Sequence, residues 1–491
     1  MGNRKVFKKP LMFVGTNSSA GKSFMVAALS RILKLEGFDV APFKAQNMSL
    51  NSFVTLDGKE MARAQVFQAF ACGIEPEVQM NPILLKPQGD SVSQLIVDGR
   101  PVGNYSSKDF YERSLRDRLF GHVLEAFNYL SERYNPIVIE GAGSISELNL
   151  KDKDIVNLNL AKGVDADVYL VADIDRGGVF GSVYGNIALL KGWENKLIKG
   201  VIVNRFRGDI KLFEEGVNIL ERITGKKVVG VVPFIDGLYL EEEDSLNRDE
   251  RDSFEEGKLK IAIIKLKHLS NFTDFDHLFH LQDISLLYTD RPEKLLEADV
   301  IIIPGSKSTI KDLRFLKQSG LFEIIKRHHL SGKMVVGICG GFQMMGEKIC
   351  DPHKIESDYT EEEGLAIFPV TTVLEKEKLT KRVEFNFLNY EQLCYGYEIH
   401  NGITEYKTDK FLCRIKNGDY DGTFVNKSFG TYIHGILDNE VVVRYILSLH
   451  GYTLNRWQSI NELKNRSLDK MAEVVKKHLD MEYIYKMAGV L

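Results

Sequence analysis

The apolar run Val335-Val336-Gly337-Ile338 passes straight into Cys339-Gly340-Gly341 and then into the helix-forming Phe342-Gln343-Met344-Met345-Gly346. A strand that reverses into a helix at a cysteine needs small residues on both sides of the turn, and it belongs to a parallel α/β sheet. The sulfur is then presented at a helix N-terminus, where the dipole and free backbone N–H groups favour a thiolate and hold an oxyanion. Most free cysteines are simply buried, but a core cysteine does not require three flanking glycines. About a hundred residues later, Gly430-Thr431-Tyr432-Ile433-His434-Gly435 ends another strand pattern with a histidine. Cys339 and His434 are therefore the candidate nucleophile and base. The glycine turn Ile303-Pro304-Gly305-Ser306 ends a further apolar strand, so Gly305 and Gly340 are candidate oxyanion donors. His400, in Gly396-Tyr397-Glu398-Ile399-His400-Asn401-Gly402, is a second histidine for the same cleft, with its role open.

A second signature lies near the start. The strand Leu11-Met12-Phe13-Val14 leads through Gly15 into Thr16-Asn17-Ser18-Ser19-Ala20-Gly21-Lys22-Ser23 and then into an amphipathic helix. Strand, glycine loop and helix are the setting of a phosphate-binding loop, with Lys22 on the phosphates and the Ser23 hydroxyl on Mg²⁺. The two glycines stand six residues apart rather than the usual five. Three more positions are candidates for this site. Glu140 ends the strand pattern Ile137–Glu140 just before Gly141-Ala142-Gly143, where a carboxylate suits Mg²⁺. Asp57, in Thr55-Leu56-Asp57-Gly58, is a second candidate metal ligand, and Asn204, ending Val201-Ile202-Val203, carries an amide suited to an adenine edge. For Asp57 and Asn204 an ordinary turn role competes with these readings.

At 491 residues the chain exceeds one core. Strand and helix patterns alternate over residues 1–240, a charged stretch at 241–258 reads as an interdomain linker, and the pattern restarts over 259–445. Residues 446–491 read as a helical tail. The expected fold is therefore α/β: two doubly wound domains with a linker and a tail. A net charge of −4 gives no reason to expect nucleic-acid binding, and no apolar run is long enough to predict a membrane span. Five cysteines without CxxC spacing fit a reducing cytoplasm. Homo-oligomerisation is left open.

The long loop spacing resembles that of dethiobiotin synthetase and its relatives, and the Cys–His region resembles a class I glutamine amidotransferase. Fused in this order, they are similar to the corrinoid-amidating enzymes. The runs Lys44-Ala45-Gln46-Asn47-Met48-Ser49-Leu50-Asn51-Ser52 and Asp57–Gln65 look like the branch that acts on adenosylcobyrinic acid a,c-diamide at its b, d, e and g carboxylates. The resemblance implies ATP, Mg²⁺ and glutamine as well, with Thr16 to Ser23 wrapping the ATP phosphates. In the class I amidotransferases an acid follows the histidine by two residues; here Ile436 stands there, so the partner that orients His434 is undefined. Three alternatives stay open: the sister enzyme amidating the a and c carboxylates, a peptidoglycan-type amidating ligase, and a P-loop regulatory ATPase with a binding module.

Overall fold

In the computed structural model, which describes residues 6–88, 92–110, 112–241 and 252–490, the strand Leu11–Gly15 is buried at every position. It can be uninterruptedly apolar because it lies inside a parallel sheet covered on both faces. That six-stranded sheet runs in the order Lys227–Pro233, Ile198–Phe206, Asp167–Asp173, Leu11–Gly15, Ile137–Ser144, Ala41–Phe43, and every pairing is parallel. Leu11 and Phe13 face one core together with Met25 and Ile32 of the helix Lys22–Leu35, while Met12 and Val14 face the other.

Between the strands Ala41–Phe43 and Ile137–Ser144 the chain makes an excursion. It builds a four-stranded sheet (Gln46–Met48, Ile83–Pro87, Val92–Val97, Arg100–Ser106), the hairpin Ser52–Val54/Glu60–Ala62, and the helix Arg63–Cys72. This excursion forms the contact with the second domain. Arg382 Nε donates to the Val54 carbonyl at 2.8 Å, and Thr380 Oγ1 donates to that of Gly58 at 2.5 Å.

The second sheet has two halves. Ile284–Thr289, Leu259–Ile264, Val300–Ile303, Met334–Ile338 and Ser428–Thr431 are parallel neighbours in that order, as the doubly wound expectation has it. From Ser428–Thr431 onward the pairing turns antiparallel through Tyr420–Val425, Phe411–Ile415 and the long strands Val370–Phe387 and Leu393–Tyr406. Among the described residues, no helix is long and apolar enough to cross a membrane.

The charged stretch 241–258 falls largely outside the described residues, but Glu241 lies inside them and corrects the linker reading at that position. It is 3% exposed and pairs with Lys464 at 2.8 Å and Arg63 at 3.4 Å. Lys464 belongs to the tail, whose helices Ile460–His478 and Met481–Met487 return to the first domain. There Leu468, Met471 and Val475 share a core with Met25, Ile32 and Phe13, and Asp480 N–H donates to Val229 O at 2.8 Å. The chain thus ends where it began. Truncating fully buried Met471 to Ala should cost about 2–5 kcal/mol in denaturant unfolding of the first domain. A tail hanging in solvent would give no change.

Candidate active sites

Cys339 follows the buried strand Met334–Ile338 and precedes the short helix Gly340–Met345. Its backbone sits at φ 51°, ψ −109°, a strained conformation for a residue with a Cβ. The neighbouring glycines are needed for space: a Cβ on Gly341 would run into the Ile303 carbonyl, and one on Gly337 would stand 2.5 Å from the Met345 sulfur. The backbone nearest Gly340 is that of Ser306, whose nitrogen would lie 2.9 Å from a Gly340 Cβ. Gly305 itself pairs with Ser270 in a two-stranded ladder. The Ser306 N–H therefore joins Gly340 and Gly305 as a candidate donor to an oxyanion.

His434 is 1% exposed and lines the same cavity as Cys339, whose Sγ lies 3.8 Å from the Ile399 carbonyl. The acid absent from position 436 is supplied from elsewhere. His434 Nδ1 donates to Asp274 Oδ2 at 2.6 Å, and a second Asp274 oxygen accepts the Gly435 N–H at 3.2 Å. Asp274 lies on the 3-10 helix Phe272–His280. Its carboxylate fixes the tautomer, leaving the other ring nitrogen for the thiol. The Asn271 amide nitrogen stands 3.3 Å from both ring nitrogens, and the Tyr397 ring stacks on the imidazole with centroids 5.2 Å apart. His400 lines the same cavity but is already engaged, with Gly402 O at 2.8 Å and Glu398 Oε2 at 3.3 Å.

The phosphate loop is closed on itself. Lys22 Nζ donates to the carbonyls of Asn17 at 2.9 Å, Ser18 at 3.1 Å and Gly143 at 3.0 Å. Ser23 Oγ donates to Glu140 Oε1 at 2.8 Å, so two hard oxygen donors meet, which fits Mg²⁺. Lys44 also reaches Glu140 Oε1, at 2.9 Å, and the Gln68 amide bonds Oε2. Burial would raise the Glu140 pKa, but the Lys44 ammonium outweighs it and holds the carboxyl below its ordinary range. Asn204 Nδ2 donates to the Ala20 carbonyl at 3.1 Å and crowds Gly21, so this amide braces the loop's backbone as well as lying beside it.

Asp57 is not brought to this cluster. It occupies the turn of the Ser52–Val54/Glu60–Ala62 hairpin, more than half exposed, bonded to Thr55 at 2.5 Å and Lys59 at 2.9 Å. The hairpin docks on the second domain, which holds this turn away from Ser23 and Glu140.

The Cys339 cavity is completed by residues at the domain contact: Lys86 from the first domain and Lys307 and Lys378 from the second line it with Cys339, Gln343 and His434. The Cys339 cavity thus faces the first domain.

Residues 11–246 match the CobQ/CobB/MinD/ParA nucleotide binding domain family, and residues 260–442 match the CobB/CobQ-like glutamine amidotransferase domain family. A P-loop domain joined to a glutamine amidotransferase domain makes this an ATP-dependent, glutamine-hydrolysing ligase. A cobyric acid synthase of Parabacteroides distasonis is 49% identical over 486 residues, 97% of this chain and 98% of its own. Cobyric acid synthases of Bacteroides fragilis (47%, 97% and 98%) and Clostridium botulinum (46%, 98% and 99%) match over similar spans. The chain belongs to the cobyric acid synthase family.

Burial alone would lower the His434 pKa, but Asp274 and Cys339 outweigh it and push the value from 6.5 up to about 10. The folded value lies above the ordinary one. The charged imidazole therefore stabilises the fold fully below pH 6.5, and this contribution is lost as pH rises toward about 10. Asp274→Asn should let His434 lose its proton at lower pH. Alkylation of Cys339 near neutral pH should then slow by about tenfold or more, the effect of one pKa unit. A pH–rate curve superimposable on the wild type would show that Asp274 does not hold this proton.

Proposed function

We propose that the chain converts adenosylcobyrinic acid a,c-diamide to cobyric acid by amidating its b, d, e and g carboxylates, with ATP and glutamine consumed at separate sites. The observation that carries this reading is the near-complete overlap, at almost half identity, with proteins named cobyric acid synthase. The presence of both sites in one chain supports it.

A carboxylate does not condense with ammonia near neutral pH, so it must first be activated. The phosphate loop holds the ATP phosphates with its N–H groups, and Lys22, released from its carbonyls, meets the transferring phosphoryl group. Mg²⁺, held by Ser23 and Glu140, would neutralise phosphate charge. A corrinoid carboxylate oxygen attacks the γ-phosphorus, giving an acyl phosphate and ADP.

At the other site Cys339 attacks the glutamine carboxamide, and His434, which already carries its proton near neutral pH, delivers that proton to the departing nitrogen. Backbone N–H groups of Gly340 and of the Gly305-Ser306 turn stabilise the oxyanion. Water then hydrolyses the γ-glutamyl thioester to glutamate. Ammonia crosses the domain contact and displaces phosphate from the acyl phosphate, leaving the amide. The five free cysteines support placing this reaction in the cytoplasm.

Incubation with ATP, glutamine and the a,c-diamide, followed by mass spectrometry, should show b, d, e and g all amidated. Amidation of cobyrinic acid at a and c instead would contradict the assignment. Cys339→Ser should lose glutamine-dependent turnover yet keep turnover with high ammonia, and normal glutamine-dependent rates would remove Cys339 as nucleophile. Lys22→Ala should slow amidation from either nitrogen source by about a hundredfold or more. Near-normal ammonia-dependent turnover in that variant would remove Lys22 from the reacting phosphates.

A further inference from the structure

The small cavity over the phosphate loop, lined by Ser18, Ser19, Lys22 and Ser23, shares Phe24, Arg205 and Leu240 with a larger neighbour of about 770 Å³. The larger cavity opens at the carboxyl ends of the strands Ile198–Phe206 and Lys227–Pro233, where α/β sheets bind ligands. Its far wall does not come from the nucleotide-binding domain. Asp276, Phe279 and His280 of the amidotransferase domain line it together with Arg205 and Phe234.

We propose that these three residues complete the pocket for the nucleoside part of the nucleotide, and that the segment 271–280 thereby couples nucleotide occupancy to His434. The proposal rests on the reading that the phosphate loop binds ATP. The size of the cavity is that of a small-molecule site. Phe234, with Arg207 over its ring at 3.6 Å, and Phe279, stacked on Tyr288, put aromatic rings in the wall for a purine, and a carboxylate such as that of Asp276 accepts from ribose hydroxyls.

The coupling follows from where the segment begins. Asn271 Oδ1 accepts the Ser52 N–H of the first domain at 2.9 Å, while its amide nitrogen lies 3.3 Å from the imidazole. Asp274 holds His434 at 2.6 Å. From Asp274 to His280 the chain is a single 3-10 helix, so the two ends stand about 12 Å apart at about 2 Å per residue. Phe272, Phe275 and Leu278 anchor the helix in the core, which favours its moving as a unit. A ligand pressing on Phe279 and His280 therefore acts on the same rigid piece that orients the imidazole. Linkage makes the effect reciprocal: a nucleotide that changes the affinity at the Cys339 site must have its own affinity changed by the same factor.

The test uses the full chain without corrinoid and with a non-hydrolysable ATP analogue as probe. Two quantities are read: the dissociation constant of the analogue, and the rate at which a glutamine-like chloroketone captures Cys339 with and without it. In the wild type the analogue should change the capture rate by about fivefold or more. His280→Ala and Phe279→Leu should weaken analogue binding several-fold and shrink that ratio toward one. The exposed position of His280 makes its variant safe for folding, and the second variant keeps an apolar side chain. If the wild type fails to bind the analogue, the phosphate-loop reading itself fails. If it binds and both variants bind equally well, the nucleoside wall is wrong. If binding weakens but capture is indifferent to nucleotide in the wild type, the coupling is wrong.

Discussion

Glu60 is 1% exposed and lies between two ammonium groups drawn from different domains, Lys86 at 2.6 Å and Lys378 at 2.5 Å. Burial would raise its pKa, yet the two lysines outweigh that and hold the carboxyl far below its ordinary range. Burial lowers that of Lys86 to about 8, even with Glu60 beside it. Three charges stripped of water are tolerable only while all three are in register, since removing one partner of such a set costs about 3–5 kcal/mol. The arrangement contributes little net stability against apolar residues of the same size, but it permits few alternatives. It fixes how the two domains meet, and the Cys339 cavity, with Lys86 and Lys378 in its wall, exists only in that register.

A second buried cluster reinforces the first. Arg63, at the start of the helix Arg63–Cys72, pairs with Glu241 and donates to the Tyr397 hydroxyl at 3.2 Å; Tyr397 in turn stacks on His434. Gln68, less than two turns later on the same helix, bonds Glu140 at the phosphate loop. One ten-residue helix therefore touches the surroundings of both sites. The excursion that begins at Lys44, which looks like an insertion in an otherwise regular sheet, is the piece that contacts both sites. It carries the runs Lys44–Ser52 and Asp57–Gln65 that stood out in the sequence.

What the sequence made legible was local. The elbow at Cys339 and the loop from Gly15 to Ser23 are written in contiguous residues, because glycines are forced wherever a Cβ would strike backbone, as at Gly341. Ser23, at the start of the helix Lys22–Leu35, and Glu140, within the strand Ile137–Ser144 that runs on past the end read from the sequence, meet at 2.8 Å. Asp274 was not. It stands 160 residues from His434, and no spacing rule links the two; the stretch from Asn271 to His280 mixes polar with apolar residues and carries a second carboxylate, Asp276, so nothing singled Asp274 out. Glu241 read as part of a solvated connector because charge runs usually are solvated, whereas its partners Arg63 and Lys464 come from opposite ends of the chain. Asp57 looked like a ligand from its turn chemistry, but the hairpin's docking partner decides where that turn points. The antiparallel half of the second sheet was hidden as well: the strand Val370–Phe387 alternates buried and half-buried residues at its two ends, but the charged middle from Glu375 to Arg382 breaks the rhythm.

The proposed reaction requires that ammonia released at Cys339 reach the activated carboxylate across the buried domain contact without mixing with solvent. The direct measurement supplies glutamine with an isotopically labelled amide nitrogen, in the presence of excess unlabelled ammonium at a pH where little of it is free ammonia. The amides formed on the corrinoid are then analysed by mass spectrometry. Undiluted label in the product is the predicted result. Label diluted toward the composition of the bulk ammonium pool would contradict a sheltered passage, and with it the claim that the interface built around Glu60 joins the two sites.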